Sequence, residues 1–207
     1  MDKTPPNNQS RFPSSLEELK RLPQRVRLTA AAAVILAIFL IVWLIASSGG
    51  DSSSSTSAAT PSAQSGAGKT VSVVPESGLL GAMKGVGYPV YWAGPRAGVE
   101  YEVSRLDEGR TYVRYLPQGE EAESKKPFLT VGSYDEQDAL ANLRKLGQTP
   151  GAILVDISGN GTAYAESPKA TSAYMAFPGV DVQVEVYDPQ GGEALELIRS
   201  GAIVPIG

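Results

Sequence analysis

Nineteen consecutive residues, Leu28 to Ala46 (LTAAAAVILAIFLIVWLIA), carry no charge. At 1.5 Å per residue such a helix is about 28 Å long, close to the hydrocarbon thickness of a bilayer. A core helix of a globular protein keeps one polar face, and this stretch has none. It therefore reads as a transmembrane helix whose partner is the lipid bilayer. Lys20, Arg21, Arg25 and Arg27 crowd its N-terminal side, and the next basic residue is Lys69. By the positive-inside rule the N-terminus is cytoplasmic and the C-terminal bulk extracytoplasmic, in a single pass through the cell membrane. A cleaved signal peptide would have a shorter apolar run behind a shorter leader.

The span divides the chain into a cytoplasmic tail (1–27), the helix (28–46), a linker (47–70) and an extracytoplasmic domain (71–207). In the tail, Ser15 and Glu18 have capping-box spacing for a short juxtamembrane helix that Pro23 ends. The linker, SSGGDSSSSTSAATPSAQSGAGKT, is too poor in apolar residues to offset its ordering entropy and is predicted to be flexible. Ala63 to Thr70 match a relaxed phosphate-loop pattern. A Ser-rich tract before it and a Val-rich strand after it are the wrong context for nucleotide.

The 207 residues include no cysteine and no histidine, which excludes thiol and imidazole catalysis and Cys/His zinc sites. Residues 71–207 hold eleven basic and eighteen acidic side chains, a net charge of −7, so nucleic acid is a poor partner. The acidic groups Asp107/Glu108, Glu120/Glu121/Glu123 and Asp135/Glu136/Asp138 fall in turns or at a helix start. There solvation explains them better than paired-carboxylate catalysis. Asp156, Ser158 and Asn160 before Gly161 resemble the start of a calcium loop, but Ser167 stands where a bidentate Glu is needed. No motif calls for a cofactor or a metal, and the domain reads as non-catalytic.

Val99, Tyr101 and Val103 alternate with Glu100, Glu102 and Ser104, predicting a half-buried strand that LDEGR turns back onto 111–116. Phe128–Val131 read as a strand. Ser133 and Glu136 suggest a capping box, and Ala139, Leu140, Leu143 and Leu146 form one helical face that Gly147 ends. Residues 152–157 read as a strand turned by Asn160-Gly161, 180–188 as another, 191–201 as a short helix and 202–206 as a last strand. Val131-x-x-Tyr134-Asp135 recurs as Val184-x-x-Tyr187-Asp188, each time before a helix. The predicted order β-α-β-β-α-β is that of a small α+β domain, a mixed or antiparallel sheet with two short helices behind it.

FLTVGSYDEQDALANLRKLG, with Val131-Gly132-Ser133-Tyr134 as its specific motif, resembles the first half of a SPOR (sporulation-related repeat) domain. The resemblance covers 127–206. The second copy, VEVYDP, lacks the Gly-aromatic motif that the family prefers, and 158–179 is longer than expected. The resemblance implies binding of peptidoglycan glycan strands in a bacterial cell envelope.

All nine tyrosines lie beyond residue 70, and YPVYWAGP (88–95) gathers three aromatic rings. This stretch reads first as a core strand and second as a sugar-stacking platform, with Tyr88 and Trp92 on one face and Tyr91 on the other. The candidate ligand-binding residues are thus Tyr88, Tyr91, Trp92 and Tyr134. Their expected ligand is cell-wall glycan, and the alternative is a structural domain that binds another envelope or membrane protein. Exposed aromatics on one sheet face would favour glycan. Buried aromatics with an exposed apolar patch or an open strand edge would favour a protein partner.

Overall fold

The computed structural model describes residues 64–66 and 68–207. The predicted transmembrane helix, the tail and most of the linker lie outside these residues. Among the described residues no helix is long and apolar enough to cross a membrane.

The described chain is an α+β domain built on one nine-stranded antiparallel sheet. Its strands are β1 (Gln64–Gly66), β2 (Lys69–Val74), β4 (Val99–Leu106), β5 (Arg110–Pro117), β6 (Thr130–Asp135), β7 (Ile153–Ile157), β8 (Gly161–Ala165), β9 (Ser172–Ala176) and β10 (Val182–Tyr187). They run in the order β1-β2-β4-β5-β6-β10-β9-β8-β7, every neighbouring pair antiparallel. Two further strands, β3 (Tyr91–Trp92) and β11 (Val204–Pro205), pair only with each other. The helices are α1 (Leu79–Ala82), α2 (Ala139–Leu146) and α3 (Glu193–Arg199).

The sheet reaches back into the expected linker, because β1 pairs with Lys69, Thr70 and Val71 of β2. Lys69 is a strand residue 2.5 Å from Glu123, with no phosphate-loop geometry around it.

The two longer helices cover opposite faces of the sheet, not one face as expected. Ala194, Leu195 and Ile198 of α3 join Ala163, Met175, Val184, Val131, Val113 and Val103 in the main core. Ala139 and Leu143 of α2 pack instead on Tyr164, Tyr174 and Ala176, which alternate with those core residues along β8 and β9. Strand periodicity explains the arrangement. Both sides of β8 and β9 carry side chains that must leave water, so both need a cover.

The β4–β5 hairpin, the apolar stripe of α2 and the β7–β8 turn form as the sequence predicts. The half-buried β4 does not, because Glu102 and Ser104 are buried along with Tyr101 and Val103. Residues 117–128 close over that side. Glu102 accepts the Glu123 N–H and lies 3.7 Å from Arg114, while Arg114 donates to the carbonyls of Ser124 and Lys126 and sits over the Phe128 ring. The Ser133–Glu136 capping box is absent as well. Ser133 belongs to β6, whose ladder with β10 continues to Asp135, and α2 begins only after Asp138.

Segment 88–96 lies on the α3 face. Beyond the short β3–β11 pairing its backbone is held by side-chain oxygens from the sheet below. The Tyr91 N–H donates to Ser133 Oγ at 2.9 Å, the Ala93 N–H to the Tyr115 hydroxyl at 2.7 Å and the Arg96 N–H to the Tyr101 hydroxyl at 3.0 Å. The Tyr115 hydroxyl in turn donates to the Gly94 carbonyl at 3.0 Å. Removing an acceptor strands a buried donor, which costs about 1–3 kcal/mol. Ser133→Ala and Tyr115→Phe are each expected to lose stability in that range in urea titrations, whereas Ser200→Ala, on an exposed residue, stays near wild type.

Candidate functional site

The four candidate aromatics do not converge. Tyr91 is 7% exposed in the core and stacks on Phe177 at a centroid distance of 6.0 Å. Trp92 is half-buried, edge-on to Tyr101 at 5.6 Å, and packs against the same core. Tyr91 is thus deeper than Trp92. Tyr88 is half-buried, its hydroxyl 2.9 Å from Thr111 Oγ1. Tyr134 lies on the opposite, α2 face, 7% exposed. No flat, exposed set of rings is formed by these four residues.

Tyr134 instead belongs to a cluster that the sequence pattern concealed. On the α2 face, β10 presents Glu185, only 8% exposed, between β6 and β9. Three hydroxyls donate to its carboxylate: Tyr134, Ser172 at 2.9 Å and Tyr174 at 3.2 Å. Tyr112 meets Tyr134 edge-on at 5.7 Å. In the alternation of VQVEVY, Glu185 occupies a position that reads as solvent-facing. Only the strand order places hydroxyls on both sides of it.

The Val131-Gly132-Ser133-Tyr134 motif has a local logic here. Tyr134 folds back over Gly132, where an added Cβ would sit 2.7 Å from the Tyr134 oxygen and 3.2 Å from the Tyr112 ring. Val131 fills the core, and Ser133 holds segment 88–96 from the other face. Each residue of the motif therefore performs one packing or hydrogen-bonding task.

An open groove of about 620 Å³ runs between α2 and the 177–181 turn, lined by Leu140, Arg144, Lys145, Phe177 and Val180 among others. Its two carboxylates, Asp138 and Asp181, are both exposed. Among the described residues no group of three acidic side chains could hold a metal ion. Asp107/Glu108 lie in the β4–β5 turn, Glu120 pairs with Lys126 at 2.7 Å, and Glu123 pairs with Lys69. The sheet ends in an open edge at β7, where Leu154 is 41% exposed.

Comparison with protein-family models, with curated proteins and with solved structures finds no match to this chain.

Burial first, and then the Glu185 charge, push the Tyr134 and Tyr174 phenols well above their ordinary value, and burial raises that of Tyr112. A phenol with a raised folded-state pKa gives stability that is intact below its unfolded value near pH 10. That stability is lost as pH rises through the folded pKa. Stability is therefore expected to fall above pH 10, and the fall should be shallower in Tyr134→Phe. That variant should also lose about 1.5–3 kcal/mol at pH 7 by withdrawing a donor from a carboxylate. Gly132→Ala is expected to cost about 1–3 kcal/mol by overpacking against Tyr134. Urea titrations across pH 7 to 11 check both.

Proposed function

We propose that the chain is a single-pass membrane protein of a bacterial cell envelope, anchored through Leu28–Ala46. In this reading its extracytoplasmic domain is a non-catalytic module that docks another envelope protein. The observation that carries it is the burial of the candidate aromatics together with an open strand edge. Tyr91 and Tyr134 are buried on opposite faces, and Tyr88 and Trp92 are spent on contacts to Thr111 and Tyr101. A sugar ring stacks on a flat, exposed aromatic face, and these four residues supply none. An exposed sheet edge with a half-exposed leucine is the kind of surface on which an extended protein segment adds a strand. Solvated carboxylates in an open groove also suit binding better than general acid–base work, which needs a desolvated acid.

Glycan binding, the role implied by the SPOR-like motif, rests on Tyr88 and Trp92 alone, the two rings with partial exposure. Two measurements separate the readings. The full chain in detergent, spun with isolated peptidoglycan sacculi, is expected not to pellet above background. Saturable pelleting that a folded Trp92→Ala variant loses would replace the protein-docking reading with the glycan one. A photo-crosslinking residue at Leu154 in native membranes is expected to give a discrete protein adduct, and one at the exposed Gln118 is not.

A further inference from the structure

The docking edge has a property that selects one partner. In β7, Ile153-Leu154-Val155-Asp156-Ile157, all five residues pair without a bulge to β8, and among the described residues no strand lies beyond them. The strand has no lysine, no proline and no bulge; Asp156 is its single charged guard. Ile153, Val155 and Ile157 are half-buried against the main core on the α3 face, while Leu154 and Asp156 are exposed on the α2 face.

We propose that β7 pairs antiparallel with β7 of a second copy, centred on Val155, joining two sheets into one. This identifies the partner in the protein-docking reading and rests on that reading. The register follows from the sequence. Directly opposed residues in an antiparallel pair share a sheet face, so only same-parity registers keep the two cores aligned. Of these, the register that opposes Val155 to its own copy matches all five residues. It sets Ile153 against Ile157 twice and Leu154 against Asp156 twice. The next register in one direction sets Asp156 against Asp156, and like charges directly opposed are unfavourable. On the α3 face every opposed pair in this register is apolar with apolar, Ile153 with Ile157 and Val155 with itself, and a twofold repeats each contact.

A five-residue edge buries a small area, which makes a weak dimer in solution. Confinement of two anchored copies to one bilayer raises their effective concentration and compensates for that weakness.

The absence of native cysteine makes the test direct. Opposed Cα atoms in an antiparallel pair lie roughly 4.5–5.5 Å apart, within the range that a disulfide spans. The full chain carrying Val155→Cys, reconstituted in liposomes and oxidised with copper phenanthroline, is expected to convert mostly to a disulfide dimer. Gln118→Cys should stay at the collisional background. In parallel, sedimentation of the chain in detergent should show a dimer that Val155→Lys weakens roughly fivefold or more, by placing two cations opposite each other. Val155→Cys crosslinking no faster than Gln118→Cys would overturn the proposal. If the Leu154 photo-adduct then contains a different protein, self-pairing fails while protein docking survives. If Leu154 gives no adduct of any kind, both fail.

Discussion

Three side-chain oxygens, those of Ser133, Tyr115 and Tyr101, fix the architecture around them by accepting backbone N–H groups from segment 88–96. A buried strand normally satisfies its donors through a ladder on each side. Here β3 has a ladder only to β11, and the sheet beneath supplies the remaining acceptors from its side chains. This is why tyrosine, and not phenylalanine, occupies positions 101 and 115. The ring fills the core, and its tip reaches the segment stacked above. With 88–96 in place, Val90, Tyr91 and Ala93 complete the apolar layer that α3 covers further along the sheet.

The other face of the sheet solves a different problem. It is polar in composition yet largely withdrawn from water, so each charge needs a dedicated partner. Glu102 has Arg114 and a backbone N–H from the 117–128 loop, and Glu185 has three hydroxyls. Gly132 supports this face sterically, because its missing side chain leaves the space that the Tyr134 ring occupies. The tyrosine richness that suggested a wet binding surface is largely accounted for by these internal hydrogen bonds and ring contacts.

What could be read from the sequence was local. The strand at 99–106, the turn at 107–109 and the apolar stripe at 139, 140, 143 and 146 depend on neighbours a few residues away, and all appear in the structure. Ser133 and Glu136 had the right spacing for a cap. Spacing could not reveal that Ser133 was already committed to a donor 42 residues earlier in the chain. Glu102 and Glu185 read as solvent-facing because a strand pattern reports which face a residue is on, not what later covers that face. Strand β9, SAYMA, went unread since small residues give no contrast between faces, and both its sides are buried. The candidate aromatics could be named but not grouped, because grouping depends on long-range strand order.

The clamp on segment 88–96 also determines how the domain comes apart. The nine-stranded sheet retains all its ladders if 88–96 lifts away, since no sheet residue uses that segment as a ladder partner. What leaves with it is β11, whose pairing is to β3 and whose following residue, Ile206, donates to the Val90 carbonyl at 2.8 Å. Two stretches more than a hundred residues apart in the chain therefore form one subglobal opening unit, hinged on hydroxyl contacts. Residues 204–206 serve as its latch.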